Sequence, residues 1–158
     1  MLLPSSITLL PFTNADAEFF AALATDERVV RFIGYGQPWD RQTITACVRE
    51  ALEEEPLDLV GASRWFVATE ANEAVGIVFC TRQETCGELG YWVSADQWGR
   101  GIGGAMLDSA LVIVPRAFGI TKLSARVAPG NAASARLLVK RGFKLEKRDE
   151  ELEHYMLG

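Results

Sequence analysis

The densest chemical signal in the chain is the run Trp98-Gly99-Arg100-Gly101-Ile102-Gly103-Gly104. Glycines let the backbone turn with its N–H groups converging on one point, and no Cβ blocks a ligand's approach. An apolar helical pattern begins directly after the run, so the positive end of a helix adds to the pull on an anion. A pyrophosphate is the expected occupant. A glycine-rich loop that only makes a tight turn is the plain alternative. Gly99, Gly101 and Gly104 also fall on the G-x-G-x-x-G positions of a dinucleotide fingerprint. That reading is set aside, because the ribose-binding carboxylate expected about 20 residues on is missing. Thr121 to Val127 holds no Asp or Glu, and too few residues follow Gly104 for the rest of a doubly wound sheet. The Gly-Lys-Ser/Thr ending of a P-loop is absent too.

The metal-ligating and nucleophilic side chains are sparse. Cys47, Cys80 and Cys86 stand apart, and His154 is the single histidine. With no Cys-x-x-Cys or His-x-x-x-His pair, no metal site is expected. No cysteine has a histidine partner for an acyl-enzyme route. Isolated cysteines in odd number suit a reducing compartment, so a cytoplasmic protein is expected. The start Met1-Leu2-Leu3-Pro4 lacks a basic n-region. No apolar run approaches the ~20 residues of a membrane span. Lys and Arg number 16 against 21 Asp and Glu, a net charge of −5. Neither nucleic acid nor a membrane is therefore an expected partner. A chain of 158 residues that is 49% hydrophobic and 23% charged reads as one domain over 1–158 with a real core.

The elements that must position the glycine run follow from periodicity. Ile7 to Leu10 reads as a first strand. Thr13-Asn14-Ala15-Asp16 is a helix start with a hydroxyl three residues before a carboxylate, followed by Phe19, Phe20 and Leu23 at helical spacing. A short helix spans Asp26 to Phe32 and ends near Gly34 and Gly36. Pro38-Trp39-Asp40 opens a third helix, with Ile44, Cys47, Val48, Ala51 and Leu52 on one face. Pro56 to Ser63 is a loop. Trp65–Ala68, Val75–Phe79 and Glu88–Val93 are closely spaced strands, hence antiparallel neighbours. From Gly101 a helix carries Leu107, Ala110, Leu111, Val114 and Phe118 on one face, with a kink expected at Pro115. Leu123–Val127 is a strand, Asn131–Arg141 a helix closed by Gly142, and Phe143–Arg148 with Glu153–Leu157 a closing hairpin. This order predicts an α/β domain with a mixed, mainly antiparallel sheet flanked by helices.

Placed on these elements, the motifs resemble those of the GNAT superfamily of N-acetyltransferases. Glu88-Leu89-Gly90-Tyr91-Trp92-Val93 followed by Trp98-Gly99-Arg100-Gly101-Ile102-Gly103 is similar to its acetyl-CoA-binding motif, Gln/Arg-x-x-Gly-x-Gly/Ala. Trp98 stands where Gln or Arg is usual, which resembles the branch of ribosomal-protein N-terminal acetyltransferases. Asn131-Ala132-Ala133-Ser134, running to Lys140-Arg141-Gly142-Phe143, resembles the next family motif.

The resemblance implies acetyl transfer from acetyl-CoA to a primary amine, without a metal. It places the cofactor's pyrophosphate on the backbone of the Gly99–Gly104 loop, namely Arg100, Gly101, Ile102, Gly103 and Gly104. It lays the pantetheine arm along Tyr91, Trp92 and Val93, with a backbone N–H near Val93 facing the thioester oxygen. Asn131 would bond the pantetheine amides, or act only as a helix N-cap. The catalytic candidates are Glu88 as base, against a solvated hairpin carboxylate, and Ser134 or Tyr155 as acid. The tyrosine that many family members carry four residues before Gly-Phe is Leu138 here. Arg136 and Lys140 either meet phosphates or form a solvated face. Phe32, Tyr35, Trp39, Trp65 and Tyr91 are the candidates for the acceptor site, each with a core role as its alternative. The implied partners are a small-molecule or peptide amine and a second copy of the chain in a homodimer. A catalytically silent acyl-CoA sensor is the competing class, supported by Leu138.

Overall fold

The computed structural model describes residues 6–34 and 36–158. A seven-stranded sheet runs in the order β1 (Ile7–Pro11), β2 (Ser63–Glu70), β3 (Glu73–Arg82), β4 (Gly87–Val93), β5 (Leu123–Val127), β7 (Glu153–Leu157), β6 (Lys144–Arg148). All neighbours are antiparallel except β4 and β5. The helices are α1 (Ala17–Ala24), α2 (Glu27–Val30), α3 (Arg41–Ala51), α4 (Ile102–Phe118) and α5 (Ala132–Lys140). No described helix is long and apolar enough to cross a membrane.

Strand alternation divides the core. Phe66, Ala68, Val78, Leu89 and Tyr91 face α4 and α5, where Ile102, Met106, Leu107, Ala110, Val114 and Leu138 close the layer. Trp65, Val67, Ile77 and Trp92 face the helices before β2, against Phe20, Leu23 and Ala51. On that side the aromatics interlock: Phe20 stacks on Trp92 at 5.3 Å, Trp39 meets Trp92 edge-on at 5.1 Å, and Trp65 stacks on Phe79 at 4.5 Å.

The elements sit close to the expected ones, with differences that have local causes. β2 begins at Ser63, inside the segment read as loop, because Ser63 pairs with Thr81 and their hydroxyls meet at 2.7 Å. β3 runs on to Arg82, which pairs with Gly87 across the turn. The Thr13 start is a 3-10 turn, Asn14–Asp16, in which the Thr13 N–H donates to Asp16 Oδ2 at 2.9 Å. α4 continues through Pro115 to Phe118, and Gly119 ends it in the left-handed conformation, φ 65°.

One irregularity of the sheet prepares the site. β4 and β5 are paired only at Gly87↔Leu123 and Glu88↔Ser124. Beyond these two rungs the strands part, leaving the second half of β4 unpaired on that side.

Candidate active site

A cleft of about 700 Å³ opens at this split. Tyr91, Trp92 and Val93 of β4 line it, with Gly99, Gly101, Ile102, Gly103 and Gly104 from the loop and first turn of α4. Asn131 and Ser134 from the start of α5 and Phe32 beyond α2 line it as well.

The glycine loop is built to present donors. Gly99 and Gly101 adopt left-handed φ of 82° and 78°, which side-chain-bearing residues rarely tolerate. Gly101 is the N-cap of α4, and no side chain caps the helix there. The first bond of the helix runs from the Ala105 N–H to the Gly101 carbonyl at 3.1 Å. The N–H groups of Ile102, Gly103 and Gly104 therefore have no partner within the helix. Gly103 serves space rather than conformation: a Cβ there would lie 3.2 Å from Leu137 Cδ1 and 3.6 Å from Val93 Cγ2. A charged ligand with several acceptor oxygens fits such a cradle.

Next to the loop, the Tyr91 and Ser134 hydroxyls lie 2.6 Å apart. Burial pushes the Tyr91 phenol above its ordinary pKa, opposed by the bond to Ser134. The phenol is therefore protonated across the neutral range. The Ser134 N–H donates to Asn131 Oδ1 at 3.3 Å, so Asn131 is the N-cap of α5 and its side-chain NH₂ remains for a ligand.

Other expected residues stand elsewhere. Arg100 does not line the cleft; its guanidinium pairs with Glu70 at 3.0 Å and bonds Gln97. Any contribution to the loop comes from its backbone. Glu88 occupies the last rung that β4 shares with β5, where its carboxylate pairs with Arg126 of β5 and accepts from Gln83 at 3.2 Å. It is not among the lining residues. Tyr155 is buried on β7 with its hydroxyl 3.4 Å from Glu153, away from the cleft. Trp39 and Trp65 belong to the aromatic core, because the sheet face above α1 needs large rings to fill it. Tyr35 lies outside the described residues.

Residues not singled out from the sequence also line the cleft: Arg28, Val29 and Ile33. Val29, Phe32 and Ile33 recur at i, i+3 and i+4, the spacing that could have grouped them. Arg136 and Lys140, for which two readings stood, reach the cleft wall. Trp98 donates its indole N–H to the Val93 carbonyl at 3.0 Å and ties the glycine loop to the end of β4. Among the described residues no group of three or more His, Cys, Asp or Glu could hold a metal ion.

Split sheet, uncapped glycine helix start and hydroxyl pair together form a cleft whose backbone donors suit a phosphate-bearing ligand along an open strand edge. Residues 6–144 match the acetyltransferase (GNAT) domain family, and the chain belongs to it. It is 24% identical over 146 residues to the uncharacterized N-acetyltransferase YoaA of Bacillus subtilis (strain 168), covering 89% of this chain and 80% of that one. The fold is similar to the spermidine N-acetyltransferase from Vibrio cholerae in complex with CoA and spermine, TM-score 0.81 at 16% identity over 96% and 95% of the two chains. It is similar as well to RimL, the ribosomal L7/L12 alpha-N-protein acetyltransferase in complex with coenzyme A. There the TM-score is 0.79 at 15% identity over 99% and 96% of the chains.

Proposed function

We propose that the chain moves an acetyl group from acetyl-CoA to a primary amine by direct attack in a ternary complex. The observation that carries this reading is the uncapped start of α4, where three backbone donors without a partner in the helix belong to residues lining a cleft beside the edge of β4 that β5 leaves unpaired. The Gly99–Gly104 backbone holds the pyrophosphate, with Arg136 and Lys140 at the wall as counter-charges. The pantetheine arm lies along Tyr91, Trp92 and Val93 and meets the Asn131 amide.

Attack on the thioester makes an oxyanion. A fixed backbone N–H near Val93 stabilises it by about 2.7–4 kcal/mol. A protonated Tyr91 donates to Ser134, which frees the Ser134 O–H to donate to the departing sulfur. An alkyl amine with a pKa near ~10 enters mostly as ammonium and must lose a proton first. Glu88, paired with Arg126 at the floor of the split, takes that proton only through water. The three cysteines are free, which supports a reducing compartment such as the cytoplasm.

The test is thiol release from acetyl-CoA with a panel of amines and peptide N-termini. Release that requires both acetyl-CoA and an amine supports the reading. Acetyl-CoA binding with no release for any amine would make the chain a silent acyl-CoA sensor.

A further inference from the structure

The cleft has two walls of different chemistry. Arg136 and Lys140 stand on the α5 side, with the glycine loop. On the side of α2 and β4 the lining is Val29, Phe32, Ile33 and Trp92, with Arg28. Every charged residue that lines the cleft among the described residues is basic; none is Asp or Glu.

Acidic groups lie nearby but are committed. Asp26 bonds the Arg28 guanidinium at 2.8 Å and also accepts the Arg28 backbone N–H at 2.9 Å. Arg28 holds the Asp26 carboxyl below its usual range. Asp96 approaches the same guanidinium at 3.4 Å. Glu88 is paired with Arg126 below the cleft. Phe32 keeps 37% of its surface exposed and reaches across the mouth, so that a Cβ on Gly130 would lie 3.8 Å from its ring. An apolar ring in that place offers a ligand contact area and no counter-charge.

We infer that the acceptor is a monoamine carried on an apolar body, aromatic or branched aliphatic, and not a polyamine. This rests on the acetyl-transfer reading above. Its physical basis is desolvation. An ammonium moved against this wall finds no carboxylate, so its charged form is disfavoured and the amine gives up its proton more readily. That favours the nucleophilic form of a single amine. A second or third ammonium on the same molecule meets the same wall, has no reaction to lose its proton to, and stays as an unpaired charge.

The experiment compares kcat/KM for 2-phenylethylamine and leucinamide with that for spermidine and putrescine, by amine-dependent thiol release from acetyl-CoA. The monoamines should exceed the polyamines by about 100-fold or more, the scale expected when one partner of a desolvated charge is missing. Phe32→Glu supplies a carboxylate and should shrink that ratio at least about tenfold. It should also move the acid limb of the kcat profile for 2-phenylethylamine to higher pH, because the bound ammonium is now stabilised. Spermidine equal to or better than the monoamines overturns the inference, as does a Phe32→Glu variant with an unchanged ratio. Thiol release with none of the amines fails the acetyl-transfer reading itself, and the inference with it.

Discussion

The two walls of the cleft are built by different means. The wall proposed for the cofactor is backbone: left-handed glycines, an uncapped helix start and a strand edge that β5 leaves unpaired. The wall proposed for the acceptor is side chain: Val29 of α2 and Phe32 and Ile33 just after it, lining the cleft together with Trp92. On the proposed reading, backbone donors meet a feature common to every CoA thioester, while side chains select among amines. Substitutions on the first wall should therefore act alike for all acceptors, and those on the second should change the acceptor ranking.

Gly103→Asp should give the largest effect. It places a carboxylate against the phosphates and crowds Leu137 and Val93. Calorimetry should show CoA binding weakened by about 100-fold or more, given the value of charge-assisted donors at a helix start. Gly103→Ala separates size from charge and should lose less than about tenfold, since only Leu137 must give way. If the two substitutions act equally, packing rather than anion recognition governs the loop.

Glu88→Gln comes next. A carboxylate working through water should contribute at the low end of the range for positioned acid–base groups, about 100-fold in kcat/KM near neutral pH. The loss should shrink as pH rises toward the amine's own pKa, where the free base no longer needs an acceptor for its proton. A loss that stays constant with pH would assign Glu88 to tying β4 to β5 through Arg126 instead.

Ser134→Ala should lower kcat by about tenfold with CoA affinity kept, because a thiol of pKa near ~8.5 leaves with modest help. Tyr91→Phe should match it, and the double variant should be no worse than either single one, as for two groups acting as a unit. Steady-state kinetics of the three proteins decides this. The Tyr91 phenol is raised by burial, so its protonated, donating form persists through the neutral range and is lost only as pH climbs through that raised value. Additive losses would separate the two hydroxyls.

The smallest effect is expected from thiol and metal chemistry. Burial pushes Cys47 up to about 11 and Cys80 up to about 12. Both are thiols at neutral pH and are poor nucleophiles. Activity should survive iodoacetamide at pH 7.5 and chelation by EDTA. Loss of more than half of it under EDTA, restored by zinc, would contradict the account.

The contrast between the walls also explains what the sequence disclosed. Gly99 and Gly101 announce the proposed cofactor loop because its left-handed turns favour glycine, and Gly103 because a Cβ there would crowd Leu137. The antiparallel run β2-β3-β4 follows from short spacing, whereas the place of β7 between β5 and β6 does not. Trp39 and Trp65 are as aromatic as Phe32, yet packing against Phe20 and Phe79 assigns them to the core, and no local pattern encodes that choice. Glu88 sits on the expected strand, but its pairing with Arg126 depends on where β4 and β5 part, which is a tertiary matter. Val29 and Ile33 carried a helical spacing too short to separate from a core turn.

Direct transfer between the two walls is most sharply tested in a single turnover. The protein is mixed with an equimolar amount of acetyl-CoA, first without and then with a good amine, and followed by intact-mass spectrometry and product analysis. Direct transfer leaves the protein unmodified before the amine is added and yields one acetylated amine per CoA released afterwards. An acetylated protein that forms without amine and then passes its acetyl group to the amine would contradict it.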